Sequence, residues 1–291
     1  MRVLLLTNPA AGGSRDGRLG DIANSLGRLG PVTSCSPGKE DFERQLQSSA
    51  EATDLLVVAG GDGTFHYALN ALADRLDTLV FALIPMGTGN DLARTLDVPA
   101  DVVTAAEAIV AGTERAVDIG RASGAGVEAL FANACIGGFP VEVDEAVDPE
   151  TKRRLGPLAY WVAGAKAATS FARFTVEMDE MQIHDCIAIG VGNGKTCGGG
   201  LRVWPDAEPD DGVLDACALA ASSLRQALTL GAKVRAGTHV DLDEVTTRRG
   251  ATIVVRADPE IEFNVDGELI GLKSPVTFSI ARRMKIRAAG H

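Results

Sequence analysis

Apolar runs and amphipathic stretches alternate through the first part of the chain. An apolar run at 2–7 ends in Asn8-Pro9-Ala10-Ala11-Gly12-Gly13, after which Leu19, Ile22, Ala23, Leu26 and Leu29 recur at helical spacing. A short strand near 32–35, an amphipathic helix near 40–50 and a continuously apolar strand at 54–59 follow. Then come a glycine loop at 60–63, a helix through Ala68, Leu69 and Leu72, a strand from Leu79 to Ile84, a turn at 85–91 and another helix. Strands that are apolar on both faces and separated by helices predict a parallel sheet covered on both sides, a doubly wound α/β domain.

The texture changes after about residue 115. Strand-like segments succeed one another at 115–121, 127–136, 173–180, 183–192, 213–219, 244–257, 260–265 and 275–287, interrupted by helical stretches near 151–170 and 222–236. Short polar turns between successive strands predict an antiparallel, sandwich-like domain. The expected division is an α/β nucleotide-binding domain over 1–120 and a β-rich domain over 121–291, whose C-terminal strand is a candidate to return to the first.

Charge narrows the function. The 291 residues carry a formal net charge of −11, which argues against nucleic acid as a partner, because such a protein needs a basic face to neutralise phosphates. Two basic clusters run against the trend, Lys152-Arg153-Arg154 and Arg282, Arg283, Lys285 and Arg287. Each is either a solvated face or a contact for phosphate or lipid headgroups. The five cysteines show no CxxC and no histidine at metal spacing, so neither a zinc site nor a disulfide framework is expected. They read as small buried apolar groups in a reducing compartment. The opening Arg2–Thr7 run reads as a strand rather than a signal peptide, and no apolar stretch is long enough for a transmembrane segment. A cytoplasmic location is expected, with the inner face of the membrane as a candidate peripheral site.

Candidate chemistry sits in the glycine loops. Gly60-Gly61-Asp62-Gly63-Thr64 follows a buried strand and opens a helix, where exposed backbone N–H groups favour an anion. Asp62 would repel a phosphate unless a cation lies between them, and Mg2+ carried with ATP is such a cation. The alternative is a tight turn with Asp62 as a helix cap. Pro85-Met86-Gly87-Thr88-Gly89-Asn90-Asp91 repeats the arrangement after the next strand, and Asn8–Gly12 follows the first. Three strand ends thus present polar or glycine-rich turns to one edge of the sheet.

In order along the chain, these motifs continue with Asn133-Ala134-Cys135-Ile136-Gly137-Gly138-Phe139, Gly192-Asn193-Gly194 and Gly198-Gly199-Gly200. Pro205-Asp206-Ala207, Asp210-Asp211-Gly212-Val213-Leu214-Asp215 and Asp266-Gly267-Glu268 complete the set. The ordered set resembles the diacylglycerol kinase catalytic domain family, which includes bacterial lipid kinases and is related more distantly to NAD kinases. The resemblance implies an ATP site between an α/β domain and a β-rich domain, and a lipid substrate at a membrane surface, with a homodimer as a candidate assembly. By the same resemblance, Asn8, Pro9, Ala10, Ala11, Gly12, Gly60, Gly61, Gly63, Gly87 and Asn90 would line the nucleotide. Asp62 and Asp91 would organise Mg-ATP, while Thr64 and Thr88 would touch phosphates. Asp266 and Glu268 would be the catalytic carboxylates, with Glu268 preferred as the base. Read locally, Asp266-Gly267 is equally a hairpin turn.

Within the same resemblance, Asp211 would be the side-chain ligand of a structural Mg2+, with Glu208 and Val213 giving carbonyls; a polar turn without metal is the alternative. One departure stands out: Tyr67 occupies a position where the family commonly has an acidic residue. The apolar stretch at 155–165 reads as buried core or as a lipid-facing helix. Two other functions stay open, an NAD-kinase-like small-molecule kinase and a non-catalytic nucleotide- or lipid-binding member of the fold.

Overall fold

The computed structural model describes residues 1–7, 16–36, 41–138 and 173–288. The chain divides into two compact units, one of Met1–Ile119 with Arg282–His291 and the other of Gly120–Ala281.

The first unit is built from β1 (Val3–Thr7), α1 (Asp16–Leu26), β2 (Val32–Cys35), α2 (Phe42–Ala50), β3 (Leu55–Gly60), α3 (Asp62–Ala71), β4 (Val80–Pro85), α4 (Asp91–Thr95) and α5 (Val102–Ala111). The strands lie in the order β2-β1-β3-β4, all parallel. β3 and β4 are buried along their whole length, which is why their sequences are continuously apolar. On one face of the sheet, Val3, Leu5, Val57 and Ile84 pack against Ile22 and Leu26 of α1 and Ala106 and Ile109 of α5. Strand order reverses direction between β1 and β3, so the carboxyl ends of these two strands flank the crevice in which α/β sheets hold ligands.

The second unit begins within β5 (Thr113–Gly124) and continues through β6 (Val127–Phe131), β7 (Ala134–Gly138), β8 (Phe174–Met178), β9 (Met181–Gly192), β10 (Leu214–Ala220), α6 (Leu224–Ala236), β11 (Val245–Gly250), β12 (Thr252–Asp258), β13 (Glu262–Val265), β14 (Glu268–Lys273) and the start of β15 (Val276–Ala288). β9 pairs antiparallel with β8 through its first half and with β7 and β10 through its second. Alternate residues of β8 and β13 face inward, as a sheet with one covered face requires. Phe278 meets Phe131 and Phe263 edge-on at the centre of that core, with ring centroids 6.4 and 5.4 Å apart.

A second core lies where Trp204 crosses β9. A Cβ added at Gly190 or Gly192 would come within 2.6 or 2.5 Å of the indole, so these alternating glycines make the flat seat for the ring. Ala227, Leu230 and Val234 of α6 pack into the same cluster. Ser223 caps that helix by accepting the Gln226 N–H, and Gly237, at φ 70°, ends it.

Several local expectations are corrected. Residues 127–136 form two strands rather than one, because the chain turns at 132–133; so do residues 244–257, which break at Ala251. Two helices rather than one follow the 85–91 turn. β15 pairs with β12 at Val276–Ser279 and runs parallel to β4 at Lys285 and Ile286. Of its basic residues, Arg283 is paired at 2.8 Å with the buried Asp118. Arg287 donates to the Ile109 and Val110 carbonyls at the end of α5, and Arg282 to the Ala73 carbonyl. Lys285 is exposed. Lys152-Arg153-Arg154 and the stretch 155–165 lie outside the described residues. All five cysteines are free, four of them buried, and burial pushes the Cys186 and Cys217 thiols up to about 12. No helix among the described residues is long and apolar enough to cross a membrane.

His239 is fully buried, with Nε2 3.0 Å from the Val203 carbonyl oxygen. Burial lowers its pKa below the usual 6.5, and the Val203 contact opposes that shift only in part. The folded state therefore favours neutral imidazole; its stabilisation is complete above the unfolded value and is lost as pH falls below it toward the folded one. The Tm gap between wild type and His239→Gln should shrink between about pH 7.5 and about pH 5. A gap that stays constant over that range contradicts the assignment.

Candidate active site

The two glycine turns of the first unit form one structural piece. Gly60 ends β3 opposite Pro85 of β4, and the ladder continues one step beyond, with the Met86 N–H donating to the Gly60 carbonyl at 2.9 Å. Past that bond the two backbones touch. A Cβ added at Gly87 would come within 2.5 Å of the Gly61 Cα, and one added at Gly61 within 2.9 Å of the Gly87 Cα. Close approach, rather than a left-handed backbone, is what demands glycine here, since Gly61 has φ −96°. A Cβ at Gly60 would strike Thr64, whose side chain is buried, whereas Thr88 is exposed.

Asp62 is the clasp. It occupies the first turn of α3, whose N-cap Gly61 offers no side chain of its own. Its Oδ2 accepts the Asp91 N–H and its Oδ1 the Leu92 N–H, both at 3.1 Å, so Asp62 caps the neighbouring helix α4. Asn90, in the left-handed region at φ 53°, closes the second turn: its Oδ1 accepts from the Gly87 N–H at 2.9 Å and its Nδ2 donates to the Gly87 carbonyl at 2.8 Å. Arg94 donates to the Gly89 carbonyl and pairs with the buried Asp91 at 3.2 Å. The result is a rigid backbone cradle without side chains at Gly61 and Gly87, which suits a nucleotide phosphate. Mg2+ brought in with ATP takes one or two protein carboxylates beside phosphate and water oxygens; Asp62 and Asp91 would be those carboxylates here, although in the nucleotide-free structure both Asp62 oxygens accept backbone N–H groups and Asp91 pairs with Arg94. Tyr67 lies half-exposed one turn along α3, its ring edge-on to Phe42 of α2 at 6.1 Å. Asn8 to Gly12 lie outside the described residues, directly after β1.

In the second unit, Asp266 ties down the turn between β6 and β7. Its Oδ2 accepts the Ala132 N–H, and its Oδ1 accepts the N–H groups of Asn133 and Ala134, all at 2.9 Å. Its own N–H donates to the Ala134 carbonyl at 2.8 Å. Asn133 donates from Nδ2 to the Thr196 carbonyl at 2.8 Å, and Asn193 from Nδ2 to the Ala132 carbonyl at 3.0 Å. Asp266, Asn133, Asn193 and Thr196 are all buried. Glu268, two residues on at the start of β14, is only partly buried. The Asp266-Gly267 hairpin turn and the carboxylate pair thus coexist, with one carboxylate turned inward. The sequence flagged Asn133 and Asn193 only as parts of motifs; their latching role depends on contacts between distant segments.

At the 208–213 turn the Asp211 carboxylate is engaged within the protein. Asp211 Oδ1 accepts the Val213 N–H at 3.1 Å, and its Oδ2 is taken by the Arg249 guanidinium. Among the described residues no three acidic, histidine or cysteine side chains are grouped to hold a metal ion.

Comparison with known proteins agrees over nearly the whole chain. Residues 2–122 match the diacylglycerol kinase catalytic domain, and residues 134–285 the YegS C-terminal NAD kinase beta sandwich-like domain. A protein of Stenotrophomonas maltophilia named Probable lipid kinase YegS-like is 34% identical over 237 residues, 78% of this chain and 77% of that one. A diacylglycerol kinase of Mycobacterium tuberculosis is 31% identical over 280 residues, 92% of this chain and 88% of that one. The crystal structure of a diacylglycerol kinase from Bacillus anthracis superposes with a TM-score of 0.77 at 26% identity, covering 99% of this chain and 96% of that chain.

The contact between Gly61 and Gly87 makes a stability prediction. Gly87→Ala should cost about 1–3 kcal/mol by overpacking, while Thr88→Ala, at an exposed side chain, should stay within about 0.5 kcal/mol. Urea melts of both variants check this, and equal midpoints would show that the two backbones do not meet.

Proposed function

The chain belongs to the diacylglycerol kinase family, and from that premise we propose that it transfers the γ-phosphoryl group of Mg-ATP to a hydroxyl of diacylglycerol or a related lipid at a membrane surface. The observation that carries this reading is the cradle of two glycine turns clasped by Asp62. Phosphoryl transfer asks the protein mainly for alignment and for stabilisation of charge on the phosphate oxygens. A backbone held on both sides and bare of side chains offers amide donors whose positions are set before the nucleotide arrives.

Residues 60–64 and 87–91 take the phosphates in this reading, with Asn8–Gly12 following the adjacent strand β1. Asp62 and Asp91 face the metal that accompanies the nucleotide. Mg2+ bound there would offset phosphate charge as the bond to the leaving ADP oxygen breaks. The lipid hydroxyl oxygen forms the new bond to the γ-phosphorus, and its proton passes to a carboxylate. Glu268 is the better base. Asp266 already accepts three backbone N–H groups on its two oxygens, and a proton there would weaken bonds that hold the 132–134 turn. Asp266 therefore acts as a positioning residue for the hairpin that carries Glu268.

Labelled ATP incubated separately with diacylglycerol vesicles and with NAD tests the substrate class. Phosphatidic acid as product supports the reading; label in NADP and none in lipid replaces it with the small-molecule alternative. Glu268→Gln should lower kcat by about 10²–10⁴ with an unchanged Tm. Asp266→Asn should lower activity and also destabilise the fold by about 1–3 kcal/mol. Wild-type turnover in Glu268→Gln would sink the assignment of the base.

A further inference from the structure

The turn that leads into β10 gathers negative charge. Asp206, Asp211 and Asp215 lie close enough that the first two raise the pKa of the third, although burial is the larger cause and Arg249 opposes it. Asp215 is 14% exposed and Asp211 22%, so water screens neither fully. A cation placed beside these carboxylates would offset their mutual repulsion.

Strand register supplies one. Asp215 of β10 and Arg249 of β11 are directly paired across the antiparallel ladder. From that position Arg249 Nε reaches Asp215 Oδ1 at 2.9 Å, while Nη2 donates to Asp211 Oδ2. Asp211 Oδ1 is meanwhile occupied by the Val213 N–H, which closes the turn. A guanidinium spreads its donors over a planar fork and can serve two carboxylates at once. Mg2+ demands near-ideal octahedral oxygen ligands at about 2.0–2.1 Å, and both Asp211 oxygens already have partners.

We propose that Arg249 is the resident cation of this turn, occupying the role that a structural divalent ion would otherwise fill, so that the β10–β11 region folds without a metal. The inference is independent of the phosphoryl-transfer reading, because it concerns the nucleotide-free protein.

The test is a set of thermal melts without nucleotide, in EDTA and in millimolar Mg2+. Wild type should melt at the same temperature in both. Arg249→Gln should melt several degrees lower in EDTA and recover part of that loss in Mg2+, since the carboxylates then lack their cation. Adding Asp211→Asn to Arg249→Gln should remove the Mg2+ response. If Arg249→Gln alone cannot be purified, Arg249→Gln with Asp215→Asn, which removes one of the charges, should be recovered in folded form. The proposal is overturned if Mg2+ raises the wild-type Tm and Asp211→Asn abolishes that rise. It is equally overturned if Arg249→Gln loses no stability or gains none from Mg2+, or if the charge-reduced double variant also fails to fold.

Discussion

The carboxylate of Asp62 accepts two backbone N–H groups from the start of α4, 29 and 30 residues further along the chain. Hydrogen bonds to a charged group contribute about 1.5–3 kcal/mol each, so this one side chain can fix the relation of two turns that the sheet alone brings only to the same level. The steps leading to it are ordered. Parallel pairing of β3 and β4 sets Gly60 beside Pro85; the Met86 N–H extends the ladder; Gly61 and Gly87 then touch. Only with both of those positions lacking a Cβ is the gap narrow enough for an aspartate side chain to span. Glycine and aspartate in the 60–64 motif are therefore one mechanical requirement rather than two independent ones.

The second unit uses the same device with another geometry. Asp266 sits in the left-handed region at φ 50°, which aspartate tolerates better than most residues, and its carboxylate collects three successive amides of the 132–134 turn. Successive N–H groups pointing at one anion form a concave nest. Here the anion is part of the protein. Asn133 and Asn193 extend the hold to the loop that follows β9, so the hairpin bearing Glu268 is anchored through buried polar contacts rather than through apolar packing alone.

These two aspartates show what the sequence discloses and what it withholds. The alternation of apolar strands with helices, the change to successive strands near residue 115 and the glycine loops after β3 and β4 are local patterns, and the fold class was legible from them. The motif set was legible as well, because its order along the chain is itself a signal. The partner of Asp62 was not: read alone, it was either a metal-facing carboxylate or a cap for its own helix, and it caps the next one. The break in the 127–136 segment was equally hidden, since its cause is a residue more than 130 positions away. Arg249 carried no sequence signal at all, for its meaning comes from the register that places it against Asp215.

Charge accounting gives the last constraint on the candidate site. The chain carries a net charge of −11, so its long-range field does not draw in a polyanion such as ATP or an anionic surface. Several of its arginines are committed to contacts within the protein: Arg94 to Asp91 and Gly89, Arg249 to Asp211 and Asp215, Arg283 to Asp118, Arg287 to the end of α5. On the kinase reading, affinity for phosphate then has to come from short-range sources, namely fixed backbone amides and the metal that travels with the nucleotide. Amide donors work only when their positions are held within tenths of an ångström. That is the physical reason a kinase of this charge would place a close backbone contact, Gly61 against Gly87, and a carboxylate that accepts two backbone N–H groups, Asp62, at the same pair of turns.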